Sequence, residues 1–418
     1  MKSHFLLVFF TLVFASTVKA ENNKLKFGIF GNLSVMTSDS DLYGYKSEVD
    51  VNKSLFKGDF DIEPHSKIGA QLEYHVNDKL DFFVQGLYRN DEKDNFDDVL
   101  NLAFLRYKFN DNFTLRAGRT SFDLFLLTEV RDVDFAFSWA KLPQETYGLL
   151  PPRNVDGVDL IYRHPLNFGE LRAKLSYGET TYPIRRRRSI DMDDFLSLSL
   201  EIADFNWLAS VRYSNINLVG LSPFFNELSS AVSLIENVWQ GARPLMADLD
   251  TDKIDGTYLS AGGKYEGEHL TFIGELARIS TIGVDRINPV NSGYFSVIYP
   301  NGNMEYFAGL AYTDSKRYVA NILQDLLIPP QALPPQVAGL VDILESELND
   351  QINSFSSNQK TLSLGLRWNY SEHIAFKFQI DTTEVEAPGE PLWATQTTAS
   401  LPKTKAVNLF FFNMSFAY

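Results

Sequence analysis

The chain has 418 residues, no cysteine, 14% aromatic residues and a formal net charge of −15. The lack of cysteine excludes a disulfide framework and a thiolate metal site, and the acidic balance disfavours a nucleic-acid partner. Aromatic content is high for a soluble domain, yet no stretch beyond the first 20 residues is apolar for long enough to span a bilayer as a helix, so hydrophobicity has to be carried by alternation.

Met1 to Ala20 has a basic start at Lys2, an apolar run from Phe5 to Ala15 and a Val18-Lys19-Ala20 ending suited to signal peptidase. It reads as a cleavable secretory signal, too short for a membrane helix and followed by no lipoprotein cysteine. Loss of Lys2 and Lys19 with it would take the net charge from −15 to −17. Residues 21–418 then form one domain with no internal repeat.

From Glu21 onward, alternating segments of about ten residues occur in pairs joined by short polar turns, and longer polar connections separate the pairs. The expected strands are 25–37, 66–76, 80–89, 99–109, 113–119, 157–163, 170–179 and 194–203. They continue as 206–216, 257–265, 269–279, 292–299, 304–313, 360–370, 374–383 and 405–418. Tight turns fall at Asn77-Asp78-Lys79, Asn110-Asp111-Asn112, Ala203-Asp204-Phe205, Glu266-Gly267-Glu268, Pro300-Asn301-Gly302-Asn303 and Ser371-Glu372-His373, where Asp, Asn and Gly suit the backbone. The fold class is all-β: a transmembrane antiparallel up-and-down barrel of about 16 strands, with short periplasmic turns and long extracellular loops, some holding short helices.

Lipid-facing positions must be apolar, whereas the lumen tolerates charge. Leu196, Leu198, Leu200 and Ile202 therefore face lipid, with Ser197, Ser199 and Glu201 inside. Leu362, Leu364, Leu366, Trp368 and Tyr370 face out opposite Arg367. The same alternation turns Arg106, Lys108, Arg116, Arg163, Arg172, Lys174, Arg212, Lys264, Arg367 and Lys377 inward, against Asp159, Glu201, Glu275 and Asp381. Tyr and Trp near strand ends, such as Tyr88, Tyr213 and Tyr265, form interfacial girdles.

The last strand puts Phe410, Phe412, Met414, Phe416 and Tyr418 on one face. This ending resembles the carboxy-terminal signature of bacterial outer-membrane barrels, which makes Phe416 and Tyr418 the assembly signal and the barrel assembly machinery a partner. The whole arrangement resembles the sixteen-stranded porins of Gram-negative outer membranes. The resemblance implies a bacterial outer-membrane location, contact with lipid and lipopolysaccharide, and a homotrimer. It also implies that the loop after strand five folds into the barrel, its acidic groups facing arginines on the wall. Here that connection runs from Thr120 to Asp156, preceded by Leu115-Arg116-Ala117-Gly118-Arg119, and lacks the family's Pro-Glu-Phe-Gly-Gly tip. Its many aromatics suit packing inside the wall rather than solvent. The expected eyelet is Arg106, Arg116 and Arg119 facing Glu129, Asp132 and Asp134, with a weak anion preference.

Other features are secondary. Arg185-Arg186-Arg187-Arg188, after strand seven, reads as a solvated or lipopolysaccharide-binding patch ahead of a basic vestibule. Pro223 to Trp239 and Val337 to Ile352 show helical spacing in long connections, either as lids or as surface cover. Histidines 65, 75, 164, 269 and 373 are scattered, and no His-Glu-x-x-His or Gly-x-Ser-x-Gly motif occurs, so an enzyme, a metal and a cofactor are not expected. The function expected is a passive porin for ions and small hydrophilic solutes. The alternatives are a substrate-selective anion channel, for instance for phosphate, and a non-conducting surface or adhesion barrel.

Overall fold

Alternation of apolar and polar residues over ten or more positions builds strands long enough to cross a membrane at a tilt. The barrel strands are β1 (Leu25–Ser38), β2 (Lys67–Asn77), β3 (Leu80–Arg89), β4 (Leu100–Lys108), β5 (Phe113–Ser121), β6 (Asn154–Leu166), β7 (Gly169–Ile184) and β8 (Arg188–Asp204). They are followed by β9 (Trp207–Val219), β10 (Lys253–Glu266), β11 (Thr271–Ile282), β12 (Val290–Asn301), β13 (Met304–Ser315), β14 (Gln359–Asn369), β15 (Ile374–Glu386) and β16 (Thr404–Ala417). The computed structural model describes residues 24–418 except 63–64, 90–98, 185–187, 221, 250–252, 283–286, 334, 354–355, 390 and 396–400. The signal expected at 1–20 and the run Arg185 to Arg187 lie outside the described residues.

Each strand pairs antiparallel with its sequence neighbours, and β1 pairs with both β2 and β16, so the sheet closes. Closure extends to the last residue: Ile29 and Tyr418 exchange backbone hydrogen bonds of 3.0 and 2.8 Å. Beside it, Phe416 is paired with Gly31, and a Cβ on that glycine would sit 3.1 Å from the phenyl ring. All sixteen expected strands are present.

The short turns are built as the sequence suggests. The Asn77 carboxamide accepts the amides of Lys79 and Leu80 at 2.9 and 3.0 Å, Asn110 does the same for Asn112 and Phe113, and Ser371 for His373 and Ile374. Gly302 occupies its turn at φ +63°, a backbone region that favours glycine. One expectation changes: β7 and β8 run on well past 179 and 194 as a long hairpin, so most of the loop expected there is strand. Polar residues such as Thr181 and Asp191, hydrogen-bonded at 2.9 Å, conceal this extension, because above the apolar band a strand no longer has a lipid face to mark it.

The long connections carry the rest: L1 (39–66), L3 (122–153), L5 (220–252), L7 (316–358) and L8 (387–403). L3 holds a single helical turn, α1 (Gln144–Tyr147), L5 holds α2 (Ser222–Ser233) and α3 (Ala242–Leu249), and L7 holds α4 (Pro335–Ile352). Among the described positions of α4, Val341, Leu344, Leu348 and Ile352 are buried, the spacing of one helix face. That face joins Leu228, Val232 and Trp239 of L5 and reaches Phe122, Phe125 and Trp139 of L3 in one hydrophobic core. A short buried strand in L1, Tyr43–Tyr45, pairs with Trp393–Thr395 of L8, of which Trp393 is buried.

Candidate pore and constriction

The inner surface is built by the same alternation that clears the outer one. Leu196, Leu198 and Leu200 are exposed while Ser197 and Ser199 are buried; Leu362, Leu364 and Trp368 are exposed while Thr361 and Arg367 are buried.

L3 lies within the ring of strands and is bonded to it along most of its length. The Leu126 amide donates to Glu275 of β11 at 3.0 Å, and Trp139 Nε1 donates to Ser296 of β12 at 3.2 Å. The Ala140 amide donates to Gln379 of β15 at 2.9 Å, and Glu145 accepts from Gln359 and Thr361 of β14. Three buried ion pairs, two at its start and one in its second half, hold it in place. Asp123 meets Lys174 of β7 at 3.1 Å and Arg212 of β9 at 3.3 Å, and Lys141 meets Asp381 of β15 at 3.2 Å. Burial by itself would raise the Asp123 pKa, but Lys174 and then Arg212 outweigh it and hold the carboxyl well below its usual range. Lys141 also stands over the rings of Tyr45 and Phe411, 4.9 and 5.2 Å from their centroids.

These anchors fall on β7, β9, β11, β12, β14 and β15, so the loop fills that half of the interior. Toward the other half it offers Glu129, Asp132 and Asp134. Glu129 reaches Arg172 of β7 at 2.6 Å and its side chain is 48% exposed, against 22% for Arg172. Asp134 and Asp132 lie 2.7 and 3.8 Å from Lys67, at the start of β2.

The arginines expected to face these carboxylates have other partners. Arg106 bonds Asp81 of β3 and Glu73 of β2, with Lys108 3.4 Å from the same Asp81 and His75 2.5 Å from its other oxygen. Arg116 makes a forked contact with Asp159 of β6, at 2.8 and 2.8 Å. Arg119 leaves the lumen altogether. Register pairs it with Asp156, the neighbouring inward positions are Thr120 and Val155, and the two outward side chains bond at 2.8 Å. The charge pattern therefore differs from the expected eyelet because the nearest carboxylates belong to adjacent strands, about 5 Å away by sheet geometry.

The remaining inward cations divide by depth. Arg163 meets Glu170 at 3.7 Å, and Lys264 meets Glu266, both near the short turns. Arg212 and Lys174 hold Asp123. Arg367 donates to the Phe137 carbonyl at 3.1 Å, and Lys377 to the carbonyls of Trp139 and Asp134, so these two anchor L3 rather than line a path. Sequence reasoning missed Glu48 of L1, Lys67 at the start of β2 and Arg153 at the end of L3, which come together beside the loop. No local spacing signals them.

No protein-family model matches the chain, and no curated protein matches it in sequence. Solved structures do match in shape. The anion-selective porin from Comamonas acidovorans superposes with a TM-score of 0.54 at 12% identity, covering 94% of this chain and 99% of that one. OmpF of Salmonella typhi, solved with daunomycin, gives 0.52 at 11% identity, covering 96% and 99%. OmpT, an outer membrane protein of Vibrio cholerae, gives 0.51 at 12% identity, covering 97% and 100%. The fold is that of the sixteen-stranded porin barrel.

Proposed function

We propose that the protein is a passive porin of the bacterial outer membrane, a channel and not an enzyme, through which ions and small hydrophilic solutes diffuse. The observation that carries this reading is the asymmetry of L3. Apart from Asp132 and Asp134 at Lys67, the loop's ion pairs and the hydrogen bonds given above go to β7, β9, β11, β12, β14 and β15, while the inward charges Glu73, Asp81, Arg106, Arg116 and Asp159 of β2 to β6 pair with neighbouring wall residues, Lys108 and His75 included. A charged strip beside a packed half-lumen, with Glu73, Arg106 and Glu129 open to water and Asp81 and Asp159 buried behind them, is what an off-axis aqueous path requires. Its narrowest zone in this reading is Glu129 and Arg172 against Arg116 and Asp159.

Arginines matched by neighbouring carboxylates give a transverse field and weak selectivity rather than a ladder of uncompensated cations. This favours general diffusion over the substrate-selective alternative. Planar-bilayer recording tests it. Discrete conductance that grows linearly with salt, with a reversal potential near zero in a gradient, is the expected result. A folded barrel without conductance would make the protein a surface barrel, and current saturating with one solute would make it a selective channel. Contact with lipopolysaccharide and assembly as a homotrimer belong to the same reading, and cross-linking in native membranes reports the subunit number.

A further inference from the structure

Between L1 and L3 lies a small cavity, about 60 Å³, whose charged lining is Lys67, Arg131, Lys141 and Arg153 against Glu48 and Asp134. The two carboxylates are already committed. Glu48 bonds Arg153 Nη2 and lies 3.6 Å from Arg131, while Asp134 bonds Lys67 at 2.7 Å. Arg153 Nε and Nη1 are buried and have no hydrogen-bond acceptor among the described residues. The nearest carboxylate oxygen to Nε, on Asp132, is 3.7 Å away, beyond hydrogen-bond reach. A buried guanidinium with two idle donors is unfavourable unless something accepts from them.

Each of the cations has a carboxylate within 4 Å: Glu48 or Asp132 at Arg153, Glu48 at Arg131, Asp134 at Lys67 and Asp381 at Lys141. His65, whose Nε2 lies 2.8 Å from the Tyr45 hydroxyl, has its pKa pushed down to about 3, first by desolvation and then by Lys141 and Lys67, with Glu48 opposing. Neutral His65 therefore adds no charge, and the feature that points to an anion is the pair of idle donors on Arg153. At roughly 10–15 Å³ per water, the volume admits a few waters or one small anion.

We propose that this cavity is a binding site for a small inorganic anion, a halide or a tetrahedral oxyanion, which accepts hydrogen bonds from Arg153 Nε and Nη1 and ties L1 to L3. The inference stands apart from conduction, since it concerns a resident ion beside the loop and not one in transit. Bromide is the first probe. Crystals of the intact barrel soaked in bromide should show an anomalous peak in this cavity, absent from Arg153→Gln. In detergent at constant ionic strength, bromide or phosphate replacing a bulky organic anion should raise the thermal midpoint of the parent and of Arg153→Lys but not of Arg153→Gln. Displacement of the bromide peak by phosphate assigns an oxyanion, and its persistence assigns a halide. Water alone in the cavity of the bromide-soaked parent, or equal midpoint gains in parent and Arg153→Gln, overturns the site.

Discussion

Arg116 shows how the wall handles charge at the scale of a single residue. Its side chain is 11% exposed and that of Asp159 is fully buried, so removing the guanidinium strands a carboxylate without water. Breaking such a pair costs about 3 kcal/mol or more, whereas removing both charges costs far less. Arg116→Ala should therefore lower the thermal midpoint and shift the reversal potential toward cations, and adding Asp159→Ala should reverse both changes. An Arg116→Ala barrel as stable as the parent would show that Asp159 is solvated. Lumen substitutions in barrels ordinarily tune selectivity; the buried partner makes this one costly to folding as well. Asp123 gives a pH signature. Its folded pKa lies below the unfolded value of about 3.9, so its stabilising contribution is complete above that pH and is lost as pH falls further. L3 should become protease-sensitive on acidification below about pH 4, and Asp123→Asn should be sensitive already at neutral pH. Equal protection of the two proteins at pH 7 would show that the ion pairs do not hold the loop.

At the scale of the element, L3 is a packed insert. Trp139 is 2% exposed, hydrogen-bonded to Ser296 and in edge contact with Tyr294 at 5.9 Å between centroids. Truncating such a residue leaves a cavity and costs about 3–5 kcal/mol. Trp139→Ala should destabilise the folded barrel by that order in denaturant titration, without changing the far-ultraviolet β signal. Deleting Asp123 to Glu145 removes the insert and should enlarge the single-channel current; an unchanged current from a folded deletion would mean that L3 does not bound the path. The helices in L5 and L7 belong to the same unit. Their buried faces continue the core that L3 begins, so the mouth over this half of the barrel is covered by packed helices rather than by free loops.

For the whole molecule, closure depends on the last strand. β16 pairs with β1 from Phe30↔Ala417 to Ser38↔Leu409 and with β15 over its full length. Losing Phe416 to Tyr418 would expose unpaired backbone on β1 and β15 within the apolar zone, which lipid does not tolerate. The truncated chain should accumulate unfolded and fail to give the heat-modifiable band of a folded barrel. A folded, membrane-inserted product at normal level would mean that closure survives without the aromatic end.

The strands, their faces and the short turns were legible in the sequence because each depends on near neighbours. Alternation sorts Leu196 from Ser197 whatever lies across the lumen, and Asn77 caps its own turn. The inward parity of Arg106, Arg116, Arg172 and Lys377 follows from the same local rule. What each of them touches does not. Whether Arg116 meets Glu129 or Asp159 depends on strand register and on the path of L3, and Lys377 anchors the loop only because Trp139 and Asp134 arrive beside it. Arg119 stands three positions from inward Arg116, so the same alternation turns it outward, as its bond to Asp156 shows; the resemblance, not the parity, had placed it in the eyelet. The meeting of Glu48 and Arg153 joins residues 105 positions apart, so only the closed tertiary structure could decide it.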